Sequence, residues 1–235
     1  MIRHALILAA GRGERMRPLT DHTPKPLLQV RGRRLIEWHL QALANAGVRE
    51  VVVNTAWLEE QFEPALGDGS HWGVRLHWSR EGRDHGGALE TAGGIAKALP
   101  RLGEAFWVVS GDVFLPGFRF DAGPAQAVLD TTHLGHLWMV PNGAHHPRGD
   151  FSLGDDGVLG MHESLPRLTW ASVGVFHRSM FEDLHAGERL PLRPLLESAI
   201  AQGRLGGTRW AGAWADVGTP ERLTRLQDLS PPAPS

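Results

Sequence analysis

The apolar run Ala5-Leu6-Ile7-Leu8-Ala9-Ala10 passes directly into Gly11-Arg12-Gly13-Glu14-Arg15-Met16-Arg17-Pro18, and this junction restricts the architecture more than any other stretch. A short continuous apolar run bounded by a turn signal reads as a strand buried on both faces. Its last residues shrink to alanine and glycine. Backbone N–H groups can then approach an anion or a base edge that a larger side chain would hold away. In an open α/β sheet, ligands lie in the crevice beyond the carboxyl ends of the strands. A first strand ending in such a loop therefore predicts a sheet built around it, with a binding edge at that end. The alternative at this point is a glycine-rich turn with exposed arginines.

The rest of the chain fits that sheet. Segments 35–46, 50–56, 59–66, 75–79, 91–99 and 105–110 alternate between helical and strand patterns, giving β-loop-α-β-α-β-α-β. In segment 35–46, Leu35, Ile36, Trp38, His39, Leu40, Ala42, Leu43 and Ala46 leave Glu37, Gln41 and Asn45 on the other side, and Gly47 stands at the C-cap. Beyond Asp112 the pattern becomes strand-rich. Segments 134–141 and 170–176 read as strands, and 150–161 as a hairpin about Asp155-Asp156-Gly157. Segment 191–202 is a predicted helix, 209–217 a strand, and a last helix starts with Thr219 as N-cap and Pro220 at its first position. The predicted fold is α/β: a Rossmann-like, mostly parallel mixed sheet flanked by helices, with a small strand-rich lobe. One domain over 1–228 and a flexible tail at 229–235 are expected.

Composition removes several classes of function. The formal charge of −2 gives no global attraction to nucleic acid or an anionic membrane. With no cysteine, disulfides, zinc–thiolate sites, iron–sulfur clusters and a cysteine nucleophile are excluded. The apolar run at residues 5–10 is too short for a membrane span or secretory signal, so cytoplasm is the expected location.

Loop spacing removes others. In a dinucleotide-binding G-x-G-x-x-G the third glycine would fall at Met16, with Pro18 where a helix should run, and no Gly-Lys-Ser/Thr follows as a Walker A loop requires. Of 24 basic residues only Lys25 and Lys97 are lysines, which hints at a need for a compact ammonium. Lys25 lies between Pro24 and Pro26, and Pro26 is expected to hold it extended. A stiff lysine suits phosphate. Asp112 and Asp216 each follow a predicted strand, 104 residues apart. If both strands belong to one sheet, two hard oxygen ligands converge beside the glycine loop, the type of donor Mg²⁺ takes; alternatively each aspartate caps the element after it.

Gly11-x-Gly13-x-Arg15-Met16-x-Pro18-Leu19-Thr20 followed by Pro24-Lys25-Pro26 resembles the opening motif of the sugar-1-phosphate nucleotidylyltransferases, the nucleoside-diphosphate-sugar pyrophosphorylases. Leu89-Glu90-Thr91-x-Gly93-Gly94-Ile95, Ser110-Gly111-Asp112-Val113 and Trp214-x-Asp216-Val217-Gly218-Thr219 are most similar to the N-acetylmuramate 1-phosphate uridylyltransferases of that group. The resemblance implies the nucleotide-diphospho-sugar transferase fold and attack of a sugar 1-phosphate on the α-phosphorus of UTP, with pyrophosphate leaving, in peptidoglycan recycling. It implies Mg²⁺ on Asp112 and Asp216, and Arg15 and Lys25 as the catalytic cations. Ala10, Gly11, Arg12, Gly13, Glu14, Arg15, Lys25 and Glu81 would bind the nucleotide; Asn54, Glu90, Thr91, Gly93, Asp150, Glu163 and Asp216 would bind the sugar. Arg148 is a candidate for the lactyl carboxylate, and His145-His146 reads as a solvated turn. Residues 83–88 look like an insertion, with glycines suggesting a mobile loop.

Sibling readings are guanylyl transfer to mannose 1-phosphate and uridylyl or thymidylyl transfer to glucose 1-phosphate. A catalytically idle nucleotide-sugar sensor is the reading from another class. A monomer or small homo-oligomer is expected, with no nucleic-acid or membrane partner.

Overall fold

The computed structural model describes residues 1–130, 132–162 and 165–228. The expected tail at 229–235 lies outside them, as does Glu163. Thirteen strands follow in chain order: β1 His4–Leu8, β2 Gln29–Val30, β3 Arg33–Arg34, β4 Glu50–Thr55, β5 Arg75–Arg80, β6 Ala105–Ser110, β7 Val113–Phe114, β8 Gly135–Val140, β9 Phe151–Leu153, β10 Leu159–Gly160, β11 Arg167–His177, β12 Leu205–Arg209 and β13 Ala215–Asp216. The α-helices are α1 Leu35–Asn45, α2 Phe62–Leu66, α3 Glu81–His85, α4 Glu90–Ala98, α5 Ala122–Asp130, α6 Arg193–Ala201 and α7 Pro220–Asp228.

Among the described residues nine strands form the main sheet. Its order runs β10-β9-β11-β6-β1-β4-β5, with β8 on β11 and β12 on β8. Strands β6, β1, β4 and β5 are parallel, and β12 is parallel to β8, while β11 runs antiparallel to both β6 and β8. The alternation in the strands shows why both faces are covered. Ala5 and Ile7 of β1, Val51 and Val53 of β4, and Trp107 and Val109 of β6 join one core; Leu6, Val52, Phe106 and Val108 join another across the sheet. Side chains of a strand alternate between faces, so a run apolar at every position needs helices on both. The first core takes Ile36, Leu40 and Leu43 of α1; the second takes Ala92 and Ile95 of α4 and Leu196 and Ala199 of α6.

Two features depart from the sequence reading. The strand predicted at 209–217 is two pieces: β12 ends at Arg209, and β13 leaves the main sheet to pair antiparallel with β7. Glycines at 206 and 207 supply β12 in place of the apolar alternation sought there. The supposed mobile loop at 83–88 begins as α3, which ends at Gly86 with φ 77°. Lys97 Nζ fastens that turn, donating to the Arg80 carbonyl and to Asp84, both at 2.7 Å. One of the two lysines is thus a structural clamp.

The strand-rich lobe is present. Strands β9 and β10 form a hairpin over Gly157, which takes φ 77°, and β9 continues onto the start of β11. Among the described residues no helix is long and apolar enough to cross a membrane.

Candidate active site

The glycine loop leaves the sheet at Leu8. The Ala9 N–H donates to the side chain of Asn54 on the neighbouring strand β4, to Oδ1 at 2.7 Å. A Cβ on Gly11 would have no heavy atom within 4 Å, so this residue opens onto a cleft of about 300 Å³. Gly13 differs. It takes φ 67°, and a Cβ there would lie 3.1 Å from Thr20 Cγ2 and 3.2 Å from Lys25 Cβ. Thr20 Oγ1 donates to the Gly13 carbonyl at 2.9 Å, closing the loop onto the lysine segment. The arginines then divide. Arg17 pairs with Asp21 at 2.8 Å, and Arg12 lies 3.9 Å above the Trp57 ring. Arg15 and Glu14 are exposed, and Arg15 has no acidic partner among the described residues.

Lys25 is buried, although it was expected in an extended stretch. It opens a 3-10 turn, Lys25–Leu27, closed by Leu27 N–H to the Pro24 carbonyl at 2.9 Å; that bond outweighs the pre-proline preference. Its ammonium donates to Asp112 Oδ2 at 2.6 Å and lies 3.7 Å from Asp216 Oδ1. The two distant aspartates therefore share one cation. The β7–β13 ribbon brings them together, since its register sets Asp216 opposite Val113, the neighbour of Asp112. Ser110 Oγ holds Asp112 Oδ1 at 2.8 Å. Burial pushes the Asp112 carboxyl up, but the Lys25 ammonium and the hydrogen bonds from Lys25 and Ser110 outweigh it and hold it below the ordinary range. Behind the ribbon, His39 Nε2 bonds the Val113 carbonyl at 2.9 Å; burial lowers its pKa to about 4, so the ring is neutral and donates.

A second group of residues holds the floor of the cleft. Asn54 Nδ2 donates to Glu81 Oε1, and the Leu89 N–H donates to Glu81 Oε2, both at 2.8 Å. The chain from Ala9 through Asn54 and Glu81 to Leu89 ties the carboxyl ends of β1, β4 and β5 to the start of α4. Asn54 and Glu81, read as sugar- and nucleotide-binding, make these bonds within the protein, and Asn54 also lines the cleft. Glu81 is fully buried and its carboxyl is raised by that burial. Gly94 is fixed by the same network, because a Cβ would come 2.7 Å from Asn54 Nδ2 and from Glu81 Oε1. Gly93 is closely packed: a Cβ would strike the Glu188 carbonyl at 2.2 Å, and its N–H is taken by the Leu190 carbonyl.

Glu90 and Thr91 line the cleft beside Ala9, Ala10, Gly11 and Lys25, and also line an adjoining cavity of about 250 Å³ with Asp150, Trp170 and Arg193. Glu90 takes φ 59°, a conformation that costs a non-glycine residue of order 1 kcal/mol and collects at ligand clamps. Asp150 Oδ2 accepts from the Trp170 N–H at 2.9 Å, and its Oδ1 faces His146 at 3.2 Å and Arg193 at 3.5 Å. Arg148 is exposed and makes no ion pair among the described residues; Arg193 is the cation at this cavity. The histidine pair is not a plain solvated turn. His146 reaches Asp150, while His145 Nε2 lies 3.8 Å from Asp216 Oδ2, where burial and then the Arg222 charge lower its pKa. Nothing in the local sequence signalled Arg222, whose Nη1 lies 3.2 Å from Asp216 Oδ2.

A family model described as Nucleotidyl transferase matches residues 4–134. The chain is 49% identical over 229 residues to an N-acetylmuramate alpha-1-phosphate uridylyltransferase of Neisseria meningitidis serogroup B, covering 96% of this chain and 97% of that one. A protein of the same name from Caulobacter vibrioides is 31% identical over 227 residues, 92% of each chain. In three dimensions the chain is similar to a Bacillus anthracis protein described as a glucose-1-phosphate thymidylyltransferase and crystallised with sucrose. The TM-score is 0.76 at 19% identity, over 97% of this chain and 96% of that one, a likeness of fold.

Proposed function

Because the chain belongs to the nucleotidyl transferase family, we propose that it transfers a uridylyl group from UTP to N-acetylmuramate 1-phosphate, giving UDP-N-acetylmuramate and pyrophosphate. The observation that carries this reading is the Asp112–Lys25–Asp216 cluster at the rim of the glycine-loop cleft. The two similar uridylyltransferases covering nearly the whole chain support the choice of substrates. The reading places the protein in the reuse of peptidoglycan sugars in the cytoplasm.

The donor set fits Mg²⁺. Asp112 and Asp216 offer hard carboxylate oxygens that already face one cation, the Lys25 ammonium, and Mg²⁺ needs few protein ligands because it keeps most of its waters. Among the described residues no group of three or more histidine, cysteine or acidic side chains comes together to hold a metal. Asp112 and Asp216 would hold the ion. When bound, Mg²⁺ supplies neutralisation of the charge that builds on the phosphoryl oxygens.

The rest of the chemistry is positioning and electrostatics by the chain's own groups. Backbone N–H groups of Gly11 to Glu14 and the Arg15 side chain receive the triphosphate, and the base lies against Ala10 and Gly11. Lys25, swung from the aspartates to phosphate, balances the developing charge. A sugar-phosphate oxygen forms a bond to the α-phosphorus as the bond to the bridging oxygen breaks, and pyrophosphate leaves with that electron pair. No general base is required, because the attacking phosphate is already an anion. Glu90, Thr91 and Asp150 orient the sugar.

The test is pyrophosphate release from purified protein with UTP, GTP, dTTP and CTP, each against N-acetylmuramate, N-acetylglucosamine, glucose and mannose 1-phosphates. UTP with N-acetylmuramate 1-phosphate is expected to give the highest kcat/KM. A preference for GTP with mannose 1-phosphate, or nucleotide binding without turnover, would overturn the assignment.

A further inference from the structure

We propose that Arg222, with His145 beside it, is the group that receives the phosphate of the attacking sugar 1-phosphate. This rests on the reading of the site as a sugar-1-phosphate nucleotidylyltransferase. Asp216 divides two cationic surfaces. Its Oδ1 faces Lys25, which lines the glycine-loop cleft; its Oδ2 faces Arg222 Nη1 at 3.2 Å and His145 Nε2 at 3.8 Å. The second surface opens on its own cavity of about 370 Å³, lined by His145, Asp216 and Arg222 with Val140, Pro141 and Trp214.

The hydrogen bonds of Arg222 make the case for a ligand. Both bonds from its side chain, to Asp216 Oδ2 and to the Asp216 carbonyl, leave from Nη1. Nε and Nη2 bond none of the described residues. The guanidinium is thus oriented by a carboxylate and still has donors of its planar fork to offer, the geometry that suits a phosphate. Lys25 and Arg222 together balance the two carboxylates, so a divalent cation on Asp112 and Asp216 leaves Arg222 with a full positive charge toward its cavity.

Direction agrees with charge. In-line displacement brings the attacking oxygen from the side opposite the leaving pyrophosphate. With the triphosphate on the glycine loop and Lys25, the opposite side of Asp216 is the Arg222–His145 side. The neighbouring His146 reaches Asp150 in the cavity that also holds Glu90, Thr91 and Trp170. Two adjacent histidines therefore connect the proposed phosphate position with the sugar position.

The experiment is Arg222→Gln and Arg222→Lys in the full chain, with KM for N-acetylmuramate 1-phosphate, UTP and Mg²⁺ measured separately. Calorimetric affinity for the sugar 1-phosphate is measured alongside, in the presence of Mg²⁺ and a non-hydrolysable UTP analogue. Loss of charge-assisted bonds to one phosphate predicts that Arg222→Gln raises KM and Kd for the sugar 1-phosphate about 30-fold. KM for UTP and the Mg²⁺ half-saturation should stay within about twofold, and Arg222→Lys should recover part of the loss by restoring a point charge. If KM for UTP or the Mg²⁺ requirement moves as much as that for the sugar phosphate, Arg222 serves only to hold Asp216, and the proposal is overturned. It is overturned alone if wild-type protein turns over and Arg222→Gln matches it. If wild-type protein makes no nucleotide sugar, the functional reading itself fails and the proposal with it.

Discussion

Glu81→Gln should be far more damaging than its near-identical shape suggests. Each carboxyl oxygen of Glu81 accepts one buried N–H, from Asn54 Nδ2 and from the Leu89 backbone, both at 2.8 Å. A glutamine keeps one oxygen and replaces the other with an NH₂ that has no lone pair to offer. Flipping that amide only moves the conflict from one donor to the other. Flipping Asn54 as well brings its NH₂ against the Ala9 N–H, which now donates to Asn54 Oδ1. Every arrangement leaves two donors facing each other in a buried site, and an unsatisfied buried donor costs about 1–3 kcal/mol. We expect about 2 kcal/mol of destabilisation, read as a lower urea midpoint with unchanged slope, and a melting temperature lower by roughly 5 °C for a chain of this size. Because the network anchors Ala9 at the mouth of the cleft, KM for UTP should rise as well. A Glu81→Gln protein within about 0.5 kcal/mol of wild type would refute the directional hydrogen-bond argument.

Two further outcomes follow from buried charge. Lys25→Met leaves Asp112 and Asp216 facing each other without the cation that now lies 2.6 and 3.7 Å from them; turnover should fall by about 10²–10³, and thermal stability without metal should drop and be recovered by millimolar Mg²⁺, so an unchanged metal-free melting curve would contradict the arrangement. His39, with a folded pKa near 4 against 6.5 in the unfolded chain, stabilises the fold fully above pH 6.5 and loses that contribution as pH falls toward 4, about 3 kcal/mol in all. Urea midpoints from pH 7 to pH 4.5 should fall less steeply in His39→Gln, whose amide can still donate to the Val113 carbonyl, and equal slopes would refute this.

The legible part of the molecule was the part whose chemistry is local. The first strand, the glycine loop, helix α1 with Gly47 after it, and strand β6 with Asp112 at its end all stand close to where periodicity and punctuation set them. Asp216 stands beside Lys25 and Asp112 for a reason the sequence did not contain. It sits on a two-residue strand paired with Val113, a register made by tertiary contact and too short for any periodicity to reveal. Asn54 and Glu81 were read as ligand contacts because polar residues at strand ends usually face the crevice. Their partners at Ala9 and Leu89 are 45 and 8 residues away, and only the fold shows the donors already spent on them. Arg222 carried no signal at all, since an arginine in the first turn of a helix is ordinarily a solvated side chain.

The proposed transfer reaction requires Asp112 and Asp216 to hold a divalent cation jointly. The direct measurement is Mn²⁺ binding by electron paramagnetic resonance to wild type, Asp112→Asn and Asp216→Asn, each saturated with UDP-N-acetylmuramate. We predict a bound ion in wild type and an affinity at least about tenfold weaker in each variant, the scale expected on losing a charged ligand. Undiminished binding in either variant would contradict the shared site.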